Sequence, residues 1–180
     1  MHILVLLKMV PDVVEDLEIA PDGRALALDY LRMILSESDD HALEQALLLR
    51  ERHGAKLTVL ALDAPEVDDA LFTAAAKGAD RVVKVVGMDA GLTTRQAARV
   101  LSQVIGDEPG LLPVDLILTG VQAIDDLDGL AAPLVADELH APSPWSTITF
   151  SIINYTSCRT LREIVSNAFP ILAERPSWRK

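Results

Sequence analysis

Short apolar runs alternate along the chain with longer stretches in which apolar residues return every third or fourth position. Ile3–Leu7, Leu57–Leu62, Arg81–Val86 and Asp115–Thr119 are dominated by Val, Ile and Leu. An apolar run without polar alternation marks a strand buried on both faces, as in a parallel sheet covered by helices. Between the runs lie helical patterns. Ser36-Glu-Ser-Asp39 gives a capping signal for a helix over Asp39–Arg52, with Ala42, Leu43, Ala46, Leu47 and Leu49 as its apolar face and Gly54 as its stop. Glu66–Lys77 turns Ala70, Leu71, Ala74 and Ala75 inward and ends at Gly78, and Thr93–Ile105 gathers Ala97, Ala98, Val100, Leu101 and Val104 on one side. Leu130–Leu139 is the last helix of the layer. The pattern predicts one doubly wound α/β domain over residues 1–150, with a mainly parallel sheet, helices on both faces and right-handed crossovers. Pro21-Asp-Gly-Arg24, between Leu17–Ile19 and Ala25–Leu28, reads as a small surface hairpin.

Composition narrows the class. Half of the 180 residues are apolar, enough for one full core and a small appendage, so 151–180 is expected to be a short C-terminal extension. That extension carries five basic against two acidic residues, and the overall net charge of −11 becomes −14 over the first 150. Such a charge argues against nucleic acid and anionic membrane surfaces as partners. No apolar run approaches the length of a membrane span, and Met1-His2 leads directly into a strand pattern, so a soluble, cytoplasmic protein without membrane insertion is expected. Cys158 is the only cysteine, which excludes an intrachain disulfide and fits a reducing compartment. Within 151–180, Thr160–Asn167 reads as a helix with Ser157 as N-cap, and Phe169, Ile171, Leu172 and Trp178 form an apolar tail that needs a surface to pack on.

Candidate chemistry collects at the carboxyl ends of the strands. Val114–Thr119 runs through Gly120 into the polar loop Val121-Gln-Ala-Ile-Asp-Asp126, and Leu130 opens a helical pattern. In a doubly wound, Rossmann-like sheet such a junction offers backbone N–H groups and a helix start to a phosphate. Other readings stand beside it: Gly120 allows the turn while Asp125, Asp126 and Asp128 cap the next helix, or the three carboxylates hold Mg²⁺. Lys8 and Asp12 flank Val10-Pro11 and either shape the mouth of a crevice or are solvated around a Pro-fixed loop. His41 and His53 suit the ends of a helix better than catalysis, His2 and His140 have no triad partners at a suitable spacing, and Trp145 and Trp178 read as packing residues.

Lys8-x-Val-Pro-Asp12, the Ala42-Leu-Glu-x-Ala46 helix, Gly78-Ala-Asp-Arg81 and Gly120-x-Gln-Ala-Ile-Asp125 are four blocks in register. Together they resemble the beta subunit of the electron-transfer flavoproteins, over roughly residues 1–146. It implies an adenine-nucleotide-binding α/β fold with an AMP site. By position, that site would take in Leu6, Leu7 and Lys8 after the first strand, Ser36 and Asp39 at the first helix, and Leu62 and Asp63 after the second strand. From the fourth strand onward it would add Gly120, Val121, Gln122, Ala123, Ile124, Asp125, Asp128, Gly129 and Ala131. It further implies FAD held mainly by a partner alpha subunit, electrons taken from acyl-CoA or related dehydrogenases, and no catalytic side chain of its own. Departures are local. Ser36-Glu37 stands where the family has Asn-Pro, Asp63-Ala64 where it has Gly-Pro, and Leu130 and Ala131 where it has a hydroxyl and an amide; the family's Arg-Tyr dehydrogenase-recognition stretch has no counterpart. Glu37, Asp63, Asp126 and Asp128 add negative charge where a phosphate would lie, so an occupied and an empty pocket both remain open. The rival classes are a stand-alone universal-stress-like nucleotide module, whose late Gly-x₂-Gly-x₉-Gly-Ser/Thr loop this sequence lacks, and a ligand-free structural subunit.

Overall fold

The computed structural model describes residues 1–24, 26–27, 31–88 and 91–140. Four parallel strands form the central sheet: β1 (His2–Leu7), β4 (Lys56–Leu62), β5 (Arg81–Val85) and β6 (Leu116–Leu118), side by side in the order β5-β4-β1-β6. β2 (Met9–Pro11) and β3 (Met33–Leu35) pair antiparallel in a separate two-stranded ribbon, with Met9 opposite Leu35. The helices are α1 (Glu37–His53), α2 (Val67–Lys77), α3 (Thr94–Asp107) and α4 (Ala131–Glu138).

β1 is buried along its whole length because both faces are covered. Ile3, Val5 and Leu7 point into one core with Leu43, Ala46 and Leu47 of α1 and Leu71 and Ala74 of α2. Leu4 and Leu6 point the other way, to Ala98 and Ile105 of α3 and Val135 of α4. The period-two alternation of a strand thus supplies both cores from consecutive residues, and the helices divide two and two across the sheet. The doubly wound α/β architecture expected from the pattern is present.

Boundaries moved where caps took over. α1 starts two residues before the expected Asp39. Its cap, Ser36, contributes its carbonyl to Asp39 N and Asp40 N, while its side chain makes no capping bond. α2 begins at Val67, because Glu66 adopts a left-handed conformation and sends its carboxylate to Met33 N at 2.7 Å, tying the ribbon to the helix. α3 is closed by Thr93 and Gln96 in a reciprocal capping box. Ala75, expected to face inward, is exposed: the buried positions of α2 are Val67, Leu71 and Ala74. Pro11 does not fix a loop but ends β2 opposite Met33, where a missing N–H costs little in a two-stranded ribbon. Around Gly23, the described residues of the expected hairpin form a bridge between Ile19 and Leu26, and Ala27 N–H donates to the Glu18 carbonyl. No helix among the described residues is long and apolar enough to cross a membrane. The helix expected at Thr160–Asn167, Cys158, both tryptophans and the apolar tail lie outside the described residues.

Candidate functional site

β1 and β6 are neighbours, yet the chain leaves β1 toward β4 on one side and enters β6 after α3 on the other. Connections that diverge from adjacent parallel strands leave a crevice at their carboxyl ends. Lys8 stands at the end of β1, and the Gly120–Asp128 loop follows β6 closely.

The first turn of α1 closes the back of this crevice. Asp39 is 6 % exposed, and its carboxylate accepts Lys8 N–H at 3.1 Å on Oδ2 and Gly120 N–H at 2.5 Å on Oδ1. Ser36 N–H donates to the Lys8 carbonyl at 3.0 Å, and Ser38 Oγ donates to the Gln122 carbonyl at 2.9 Å. Burial pushes the Asp39 carboxyl up to about 6, against the opposing pull of its two backbone donors and the Lys8 charge. Asp39 was placed by its sequence position among the ligand-facing residues, but both of its oxygens are engaged inside the protein. Ser36 is likewise buried.

Gly120 is not a turn glycine in the expected sense. Its backbone lies outside the left-handed region, whereas Gly129 has φ +62°. What Gly120 provides is proximity: a Cβ there would lie 2.3 Å from Ser38 Oγ, 2.5 Å from Asp39 Oδ1 and 2.9 Å from Asp39 N. The loop leaves β6 pressed against the start of α1, and only hydrogen fits between them.

Beyond Gly120 the loop is pinned by side chains. Lys8 Nζ reaches Asp125 Oδ1 and Asp126 Oδ2, each at 2.7 Å. The pairing raises the Lys8 ammonium against its partial burial, and it lowers the Asp126 carboxyl in the face of burial that acts the other way. Thr94, at the start of α3, donates to Asp128 Oδ2 at 2.6 Å, and Asp128 Oδ1 accepts Leu130 N–H at 2.9 Å ahead of α4. None of the three carboxylates expected to cap that helix does so: its cap position is Leu130, without a side-chain capping bond, Asp128 holds the turn ahead of it, and Asp125 and Asp126 hold the lysine. Among the described residues no group of three His, Cys, Asp or Glu is arranged to hold a metal ion. No described residue accepts a hydrogen bond from the backbone N–H groups of Val121, Gln122, Ala123 or Ile124. Ala123 is buried and Ile124 half exposed, Gly129 lies under the Val121 carbonyl, and Ala131 is the first residue of α4.

Other expected positions sit farther from this centre. The Leu6 and Leu7 side chains are buried in the two cores, so only their backbone can reach a crevice. Leu62 and Asp63 end β4, two strand spacings or about 10 Å from β6. Asp63 pairs there with Lys84 at 3.6 Å. Asp12 accepts Val14 N–H and closes its own turn. Thr94 was missed. A groove of about 440 Å³ lies elsewhere, between the ribbon and helices α1 and α2, with Met9, Met33, Leu43 and Ala70 in its lining. On its rim Lys77 pairs with Asp40 and Glu44, and Glu66 with Met33.

Comparison with known proteins places this geometry. The family model described as electron transfer flavoprotein domain matches residues 25–169. The electron transfer flavoprotein subunit beta of Thermoanaerobacterium thermosaccharolyticum is 34 % identical over 143 residues, 79 % of this chain and 53 % of its own length. The acryloyl-CoA reductase electron transfer subunit gamma of Anaerotignum propionicum is 32 % identical over 143 residues, 79 % of this chain and 53 % of its own. The electron transfer flavoprotein subunit beta of Bacillus subtilis is 30 % identical over 176 residues, 98 % of this chain and 66 % of its own, so similarity continues beyond residue 146. The chain spans about half the length of the first two of these relatives. With a family model matched over most of its length, the chain belongs to the electron transfer flavoprotein domain family.

Proposed function

We propose that the chain serves as the beta-like part of an electron-transfer flavoprotein, paired with an alpha-like subunit and working in the cytoplasm. The observation that carries this reading is the crevice between β1 and β6, built by four separate elements in a member of that family. The redox chemistry would come from FAD held mainly by the partner. The chain's own residues would supply a wall and a nucleotide crevice. Apolar side chains left in solvent mark surfaces for a partner: Val13, Val14, Leu17 and Ile19 on the arm after β2, and Ile124, Leu127 and Leu130 on the loop. Electrons would come from acyl-CoA or related dehydrogenases; the Anaerotignum relative, named an electron transfer subunit of an acryloyl-CoA reductase, supports a link to enzymes acting on acyl-CoA thioesters.

For an adenylate such as AMP, the crevice offers the Lys8 ammonium, the N–H groups of Val121 to Ile124, and apolar contact from Ile124 and Leu127. Opposed to it are Asp125, Asp126 and Asp128, each repelling a phosphate at about 4 Å by up to about 4 kcal/mol near the surface. The residues fit AMP on one condition: Lys8 must exchange its two aspartates for the phosphate. The same crowding favours a second reading, a partner-bound subunit whose crevice binds no ligand.

Co-expression with an alpha-like subunit tests both. A yellow complex that sediments as a heterodimer and takes up AMP in calorimetry is expected. A yellow heterodimer without AMP would leave the second reading. A colourless homodimer carrying adenine nucleotide would move the chain to a stand-alone binding module.

A further inference from the structure

We infer that Asp39 is a positioning residue, whose buried carboxylate ties the ends of β1 and β6 to the first turn of α1 and so sets the Gly120–Asp128 loop against Lys8. The inference deepens the adenylate reading, since Lys8 and the loop are the groups that would meet a phosphate.

The argument is one of donors and acceptors. Parallel neighbours leave N–H groups without a ladder partner where their pairing stops, and those of Lys8 and Gly120, on half-buried residues beside the first turn of α1, end on the buried Asp39 carboxylate. One carboxylate has two acceptor oxygens and no donor, so a single helix position satisfies both. An amide of the same shape accepts with its oxygen but turns an NH₂ toward the other N–H. Gly120 meanwhile lacks the space for a Cβ, so the loop leaves β6 in contact with Asp39 itself. Ser38 extends the hold to the Gln122 carbonyl at 2.9 Å. The loop's unused N–H groups begin at Val121, directly beyond the tie, and the Lys8 side chain begins at the other end of the same carboxylate. The two anion-recognising features are thereby placed relative to each other by one side chain that touches neither the phosphate site nor solvent.

The charged groups at this centre are Lys8 from β1, paired with Asp125 and Asp126, and Asp128 farther along the loop, whereas Glu37 and Asp40 of α1 line the groove beside the ribbon and Asp63 pairs with Lys84. A pH response therefore has to be assigned by substitution. The test uses the full chain, free and with its partner, and follows backbone amides by NMR. In Asp39→Asn, hydrogen exchange at Lys8 and Gly120 should speed up by about tenfold, the scale of one lost hydrogen bond, while β4 amides keep their protection. In the wild type, the Lys8 and Gly120 amide shifts should share one titration step near pH 6; the step should vanish in Asp39→Asn and survive in Asp126→Asn. AMP titration by calorimetry over pH 5–8 is the second arm, with affinity in Asp39→Asn expected to drop about tenfold and lose its dependence on that step. Unchanged exchange at Gly120 in Asp39→Asn, or a wild-type step that persists in it, overturns the inference. So does unchanged AMP affinity when exchange is faster. If neither protein binds AMP, the adenylate reading fails by itself and the exchange and titration data decide the positioning role. If Asp39→Asn does not fold, the wild-type shared step decides it against the Asp126→Asn control.

Discussion

The two ends of the central sheet solve the same problem in opposite ways. At the amino end, Asp80 accepts Leu57 N–H at 2.8 Å and also meets Arg50, with Nε at 3.0 Å and Nη2 at 2.9 Å. His2 is similarly satisfied: its N–H donates to Asp115, and its ring pairs with Thr58 Oγ1 and the Pro113 carbonyl. At the carboxyl end, Asp39 binds two backbone donors with no cation in contact, and one lysine is shared by Asp125 and Asp126. Arg50 and its two bonds pull Asp80 down to about 2, whereas burial pushes Asp39 up to about 6. Groups at the first end are matched for stability. Those at the second leave a buried carboxylate without a cation in contact and one lysine between two aspartates, the kind of perturbed charge that folds keep at sites.

The sharpest way to break this contrast is a pair of glycine substitutions. Gly120→Val would drive its side chain into Ser38 and the Asp39 backbone, where the obstacle is a helix start that cannot swing aside. A loss of about 3 kcal/mol or more, or failure to fold, is expected from urea denaturation. Gly54→Ala, at the end of α1, meets open space and should lose only about 1 kcal/mol for its left-handed φ of +61°. Equal losses would mean that the loop yields and the close approach at Gly120 is not a constraint.

That glycine also shows where the sequence was legible. The four strands and four helices could be read because apolar runs and three-to-four spacing report burial directly. β2 and β3 could not: three residues each, they pair across 21 intervening positions and carry no alternation of their own. Gly120 was read as a turn because local sequence does not reveal a helix packed against it from 80 residues earlier. Asp39 had a usable signal. It precedes Ala42, Leu43 and Ala46 at helical spacing, which puts it on the buried face, whereas the resemblance places it in the crevice, facing a ligand. The Lys8 pairing spans 117 residues and needs the fold to be seen.

Acidification sharpens the comparison, because the two aspartates respond with opposite sign. Asp39 binds a proton more readily folded than unfolded, so between pH about 6 and the ordinary carboxylate value near 4 the folded state holds more protons and stability rises as pH falls. The difference in unfolding free energy between wild type and Asp39→Asn should therefore shrink from pH 4 to pH 7, by up to about 3 kcal/mol for a shift of about two units. Asp80 behaves the other way: its contribution is complete above the ordinary carboxylate value and is lost as pH falls toward 2. Asp80→Ala should cost about 1–2 kcal/mol at pH 7, chiefly for the Leu57 N–H left without an acceptor, since the Arg50 fork is partly exposed and screened. Thermal denaturation of the three proteins at pH 3, 5 and 7 reads both. Parallel pH profiles for the two substitutions would erase the distinction between the ends.

The smallest effect on stability falls on the residue with the largest expected effect on binding. Lys8 is 42 % exposed at its side chain, so its two ion pairs are screened, and Lys8→Met should change stability by less than about 1 kcal/mol. Removing the ammonium nevertheless leaves Asp125 and Asp126 facing each other without that cation and takes away the one positive charge that the described residues bring to the crevice. AMP binding by the partnered chain should then fall below detection in calorimetry, with the unfolding midpoint nearly unmoved. The aspartates give the converse test. If Lys8 must leave them to take a phosphate, Asp126→Asn should strengthen AMP binding by about tenfold, the worth of one competing charge-assisted hydrogen bond at a screened site. Weaker binding in Asp126→Asn would mean that Asp126 aims the lysine at the ligand and does not compete for it, so the carboxyl end would be matched to its site after all.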